Sequence, residues 1–162
     1  MTKATLSTSD AVAETLARYA ERGVFQSFSR QSAARGKTAF QIVWHRGRAF
    51  ELVFDNKRGT LRLTELLPQV SAPMHKDLKA FIEARQSDDL PEHRRIDRAR
   101  VEVRSSHRAG SVSLSMTAIS GDCQYAVTKL VHLVNEIYLI FLAEGEHFDY
   151  LVETFDLDPD RM

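Results

Sequence analysis

Arginine is concentrated in one short stretch of the chain, next to a segment rich in serine. Six arginines lie between positions 94 and 108: Arg94, Arg95, Arg98, Arg100, Arg104 and Arg108. Alternate residues of a strand project to one side of a sheet, where planar guanidinium groups suit phosphate or carboxylate and small hydroxyls leave room for a ligand. The pattern predicts a candidate anion surface, which consists of Arg98, Arg100, Arg104, Arg108, Ser113 and Ser115.

A hairpin of strands at residues 98–104 and 111–119 would build this surface. Matching their apolar residues gives the pairs Val103 with Val112, Val101 with Leu114 and Ala99 with Met116. The other face is then a ladder of Arg104 beside Ser111, Glu102 beside Ser113, Arg100 beside Ser115 and Arg98 beside Thr117. Long charged and hydroxyl side chains are also typical of a solvated strand face without a ligand. Because no aromatic platform for base stacking stands beside the arginines, nucleic acid is not the favoured partner.

A metal site is not predicted. Glu144 and His147 have the spacing of half a di-iron carboxylate motif, with Glu136 upstream, but that site needs a second Glu-x-x-His and the chain has none. His132 and Glu136, four residues apart on a helix, can instead support each other.

Catalytic signatures are missing from the sequence. It contains no Gly-x-Ser-x-Gly, phosphate-binding glycine loop or His-Glu-x-x-His. Cys123 stands at a predicted helix start, where a thiol can be activated, but no base is assignable. Trp44 and His45, near a hairpin end, can line a pocket or pack in the core. We predict no catalytic residue and no cofactor, although an enzyme whose site is assembled from scattered residues stays an alternative.

Length and composition indicate one soluble domain over residues 1–162, with residues 1–7 frayed. A chain of 162 residues buries enough surface to fold without metal or disulfide help, and its single cysteine excludes an internal disulfide. The first residues lack an apolar signal core, and the longest apolar run, at 137–143, is too short for a membrane span. We therefore expect a bacterial-type cytoplasmic protein that does not insert in a membrane.

Charge is divided between two blocks of the chain. Residues 1–110 hold 20 Lys and Arg against 13 Asp and Glu, and residues 111–162 hold 2 against 9. The net charges of +7 and −7 favour either attraction between the blocks or separate acidic and basic partner surfaces.

Hydrophobic periodicity predicts an α+β fold, with an antiparallel sheet of five to six strands in the order α-β-β-β(-β)-α-β-β-α. Helices are predicted at 8–22 and 73–86, and strands at 24–31, 38–45, 49–55 and 60–66 before the second helix. Failed alternation in the first strand indicates a bulge or an edge position. A three-residue loop at 46–48 would pair Trp44 with Phe50, Ile42 with Leu52 and Phe40 with Phe54.

A long C-terminal helix, at 123–155, is predicted to pack on this sheet and to bend or project at Gly145. Its apolar arc spans about 200°, roughly twice what one sheet-facing helix needs. The excess predicts a candidate partner surface, which consists of Val127, Val131, Tyr138, Leu139 and Leu142. Cover by the first and second helices of the same chain is the alternative.

This element order resembles the plan of the type III secretion chaperone and YbjN-type families, over roughly residues 8–155. The fourth strand and the longer last helix depart from that plan, and so does the basic sheet. The resemblance implies a homodimer that binds a protein client or acts as an adaptor, without catalysis. A non-enzymatic, chaperone-like or adaptor-like binding module is therefore our functional prediction, and an anion- or nucleic-acid-binding regulator acting through residues 98–108 is the alternative.

Overall fold

The structure, a computed structural model, describes residues 8–44, 47–119, 121–144 and 147–154. Its helices are α1 (Thr8–Glu21), α2 (Ala72–Ala84), α3 (Cys123–Glu136) and α4 (Phe148–Thr154), and a π-helical segment, Ile137–Leu142, directly continues α3. Its strands are β1 (Ser27–Ala34), β2 (Lys37–Trp44), β3 (Arg48–Asp55), β4 (Thr60–Leu67), β5 (Val101–Arg108) and β6 (Ser111–Ala118). The predicted α+β class and element order are confirmed.

The six strands form one antiparallel sheet in the order β1-β2-β3-β4-β6-β5. Helix α1 packs on β1 and on α3, α3 packs on β6, and α2 lies against β5. The opposite face of the sheet bears exposed polar residues such as Gln41, Glu51 and Arg62. Strand β1 lies at an edge, and its pairing with β2 is irregular between Arg30 and Ser32. For the first strand, the predicted edge position and the predicted irregularity are therefore both confirmed.

The β2–β3 hairpin keeps the predicted apolar face, but its register differs. Ile42 lies opposite Phe50, and Trp44 lies opposite Arg48, so the predicted pairing of Trp44 with Phe50 is wrong by two residues. Three residues, 45–47, separate the strands, and Gly47 has a φ of 81°, which glycine adopts at little cost. An even shift leaves every side chain on its own face.

The β5–β6 hairpin differs by four residues from its predicted register. Val103 lies opposite Met116 rather than Val112, and Arg104 lies opposite Ser115. The turn contains only Ala109 and Gly110, with φ of 49° and 82°, as in the tight turns whose twist matches that of antiparallel strands.

The final helical region corrects the predicted partner surface. Val127, Val131, Tyr138 and Leu142 are buried in the core of this one chain, and only Leu139 of the five is exposed. Helix α1 packs on α3, and Tyr138 contacts the Phe50 ring and the Leu66 carbonyl, so the alternative of cover within the chain explains the burial.

The predicted single helix is interrupted. The π segment ends at Leu142 and α4 begins at Phe148, while Gly145 lies outside the described residues. Cys123–Leu142 is long and apolar enough to cross a membrane, but it is mostly buried in the fold, as the core helix of a soluble protein is.

Candidate functional site

The predicted anion surface is divided, because β5 begins only at Val101. Arg98 and Arg100 precede the strand and pair with acidic side chains: Arg98 donates to Glu83 of α2, and Arg100 donates to Asp122. The continuous ladder from 98 to 108 is therefore wrong, since residues 97–100 form a turn held by backbone bonds to Asp97 O.

Arg100 has a structural role at the start of α3. Its guanidinium lies 3.6 Å from the centre of the Tyr125 ring, and its partner Asp122 caps α3 by accepting from the Tyr125 backbone N–H. The cap joins the beginning of β5 to α3.

The rest of the ladder lies on the outer face of the hairpin. Arg104 is exposed and pairs with Glu102, with 3.2 Å between Nε and Oε1, and Arg108 is exposed at the strand end. Ser113 Oγ accepts from the Glu65 backbone N–H at 3.2 Å, while Ser115 lies between Arg104 and Arg62. Two of the ladder's four arginines therefore remain beside its hydroxyls.

A concave basic pocket, which the sequence did not predict, lies between α3 and the loop that precedes β5. We call it the Lys129 pocket. Its volume is about 250 Å³, Ile96 forms part of its wall, and its polar lining consists of His93, Arg94, Lys129, His132, Asn135 and Glu136. The four α3 residues recur at a spacing that places them on one helix face.

Lys129 is the unusual member of this pocket, because only 7% of the residue is exposed. Its ammonium donates to the His93 carbonyl at 3.3 Å and lies 5.5 Å from the centre of the Tyr125 ring. Burial lowers the pKa of Lys129; Glu136 opposes that shift and Arg100 adds to it. A largely buried lysine with a lowered pKa in the wall of a pocket is a candidate functional residue.

Glu136 closes one end of the pocket and is compensated by α2. Arg85 Nη1 donates to Glu136 Oε2 at 2.7 Å, and both side chains are largely buried. The pKa of His132 is lowered by burial and then by Lys129, whereas Glu136 raises it. His132 is therefore predominantly neutral at pH 7, and Lys129 and Arg94 supply the positive charge.

An apolar groove lies at the other end of the same helical region, between α2 and the π segment. Its apolar lining comes from Ala80, Phe81, Ile140 and Phe141, and the rings of Phe81 and Phe141 lie 5.4 Å apart. The groove measures about 540 Å³. Leu139, 59% exposed, lies beside Ile140 in the π segment. We call this region the α2–π groove.

Acidic groups border the α2–π groove. Asp77 and Glu144 line it, and Asp77 Oδ2 contacts His147 Nε2 at 3.1 Å. His147 also lies against the Phe141 ring, so it joins the α4 region to α2. Within the described part of the chain, no three His, Cys, Asp or Glu side chains lie together as metal ligands do.

Cys123 and Trp44 are structural residues. Burial raises the pKa of the Cys123 thiol, and Asp122 adds to the effect, which opposes activation of this thiol at the helix start. Trp44 is buried against Phe25 and Phe50, whereas His45 lies outside the described residues.

No protein-family model, curated protein or solved structure matches the chain. The resemblance to secretion chaperones therefore rests on element order alone, and functional inference rests on the contacts described above.

Proposed function

We propose that this chain is a non-enzymatic binding module, chaperone-like or adaptor-like, that holds an amphipathic helix of a client protein in the α2–π groove. The observation that carries the proposal is the exposure of two consecutive large apolar residues of the π segment: Ile140, which lines the groove, and Leu139, its neighbour in the chain. Among the described residues, Ile119 is the other large hydrophobic side chain with comparable exposure, and it lies at the end of β6, apart from the groove.

Helix-in-groove recognition fits the shape and chemistry of this region. An amphipathic helix inserts two or three apolar side chains into such a groove, and the flanking charges set its orientation. Here Phe81 and Phe141 supply the apolar lining, and Asp77 and Glu144 supply negative charge at the border. The partner we propose therefore carries basic residues beside its apolar face.

Binding of a model client tests this function. The probe is a fluorescent 18-residue peptide with leucine on one helical face and lysine on the other, and the variant is Leu139→Ser with Ile140→Ser. About half of each side chain remains to be buried, which is worth about 1 kcal/mol apiece. The pair should therefore weaken binding by about 30-fold.

Two controls make the measurement specific. Ile119→Ser removes an equally exposed apolar side chain elsewhere and should leave peptide affinity unchanged, and a peptide with glutamate in place of lysine should bind more weakly. Equal binding to wild type and to the double variant would refute the proposal.

Homodimer formation, which the resemblance to secretion chaperones implies, stays a prediction. Light scattering at micromolar concentration measures it directly. A dimer that the Leu139 and Ile140 substitutions dissociate would make a second copy, rather than a client, the occupant of the groove.

A further inference from the structure

The Lys129 pocket concentrates positive charge in a small volume. Lys129 and Arg94 line it with full charges, and the one carboxylate in the lining, Glu136, already accepts from Arg85 at 2.7 Å. The charge left over is positive. Glu136 and, from outside the lining, Glu92 attract Lys129, but the lining itself carries two cations and one acid that is already paired with Arg85, so it attracts an anion.

Lys129 also has hydrogen-bonding capacity beyond its internal contacts. An ammonium group has three N–H donors, and among the described residues its one hydrogen-bond acceptor is the His93 carbonyl, at 3.3 Å. A buried polar group is normally satisfied. Lys129 as a whole residue is 7% exposed, and the remaining donors of its amine, in the pocket lining, are available to an acceptor that enters the pocket.

The walls limit the size of that acceptor. A volume of about 250 Å³ lies just below the roughly 300–1,000 Å³ of drug-sized ligand sites. Ile96 is buried, and its backbone N–H donates to the Arg85 carbonyl at 2.9 Å, which fixes the loop against α2. The Asn135 amide adds one neutral polar group to the lining.

We propose that the Lys129 pocket is a binding site for a small anionic molecule that carries a carboxylate or phosphate group. Lys129 and Arg94 bind the anionic group, His132 adds a further donor, and Asn135 contacts a neutral polar part of the ligand. The site is separate from the α2–π groove and does not depend on a protein client.

Calorimetric titration at low ionic strength tests this site, with inorganic phosphate and succinate as the two probes. Wild type should show saturable binding of at least one probe below about 10 mM, and the stronger probe shows which anionic group the site prefers. Lys129→Met should reduce affinity by roughly tenfold or more, because it removes a charge-assisted bond in a poorly hydrated site. Arg94→Gln, at an exposed position that folding does not require, should reduce it by several-fold.

Arg108→Gln is the matched control, since it removes one positive charge at an exposed position on β5. It should leave affinity within about twofold of wild type, as expected for a screened, distant charge. Equal weakening by Arg108→Gln and Lys129→Met would show a general charge effect and overturn the proposal. Unchanged binding in Lys129→Met, or no saturable binding of either probe to wild type, would also overturn it.

A single-stranded oligonucleotide provides the last comparison. The oligonucleotide could bind more tightly than phosphate and succinate, with a binding that is lost in Arg108→Gln and kept in Lys129→Met. That result would assign anion binding to the outer face of the β5–β6 hairpin and would overturn the pocket proposal.

Discussion

Replacing Lys129 by methionine should stabilise the protein at neutral pH. The side chain is 7% exposed, and its ammonium has one backbone acceptor, at 3.3 Å. Methionine keeps a flexible unbranched chain of similar length and removes the charge. The substitution therefore removes the cost of desolvating a cation and retains most of the packing of its stem.

The magnitude follows from two opposing contributions. The lost interactions, which are chiefly the hydrogen bond to the His93 carbonyl and also the weaker ones with the Tyr125 ring and Glu136, contribute about 1 kcal/mol, and desolvation of the ammonium costs about 2 kcal/mol or more. The net effect is a gain of about 1 kcal/mol in the free energy of unfolding. For a chain of this size, the melting temperature should rise by about 2–4 °C.

The gain should depend on pH with a definite sign. Folding lowers the pKa of Lys129 below its ordinary value of 10.5, so the unfolded chain binds the proton more tightly. Wild-type stability therefore rises relative to that of Lys129→Met as pH increases from the folded-state pKa to 10.5, and above it the desolvation cost disappears. The difference between the two proteins is largest at neutral pH.

Urea unfolding at pH 7 and pH 10 measures this effect, with the fluorescence of Trp44 as the signal, because it is the only tryptophan and is buried. Lys79→Met, at an exposed lysine of α2, is the control and should change stability little. A loss of stability in Lys129→Met at pH 7, or a difference from wild type that pH does not alter, would refute the reasoning.

One further substitution, a tyrosine titration and a thiol-labelling experiment examine the core. Tyr138→Phe removes the hydroxyl that donates to the Leu66 carbonyl at 2.7 Å and contacts Arg48, so urea unfolding should show a loss of about 1 kcal/mol; unchanged stability would contradict this role. Because burial raises the pKa of Tyr138, its ionisation, followed by ultraviolet absorbance, should occur at higher pH than that of an exposed tyrosine. Burial and Asp122 raise the pKa of Cys123, so a thiol reagent at pH 8 should label it at least about 100-fold more slowly in the native chain than in urea. Labelling of the folded protein at the rate of a free thiol would contradict the burial of Cys123.

Alternation predicted which side chains face the core, but not which residues lie opposite one another. Both hairpins differ from prediction by an even number of residues, two in β2–β3 and four in β5–β6, and an even shift preserves the apolar face. Backbone geometry at the turns decides between such registers. In β5 the strand also continues through Ser105 and His107, whose polar groups are satisfied by His75 and by the Val70 carbonyl.

The excess arc of α3 was predicted correctly as a pattern, but its meaning depended on tertiary structure. A helical wheel shows that Val127 and Val131 are apolar, yet it does not show whether α1 or another chain covers them. The same limit applies to Lys129. Its spacing to His132 and Glu136 was visible in the sequence, but its burial depends on a loop that begins over thirty residues earlier.

Arg85 connects the two proposed sites physically. Its guanidinium donates to Glu136 in the wall of the Lys129 pocket and lies 5.0 Å from the centre of the Phe81 ring, which lines the α2–π groove. Removing Arg85 would leave the Glu136 carboxylate uncompensated in the pocket and loosen the Phe81 wall of the groove. The effect of an Arg85 substitution on binding therefore cannot be assigned to one site. Lys129→Met and the Leu139 and Ile140 double variant alter one site each, because Lys129 lines the pocket at one end of the helical region and Ile140 lines the groove at the other. Energetic coupling between the sites would appear as an anion affinity that changes when the peptide is bound, and by linkage the anion must then change the peptide affinity by the same factor.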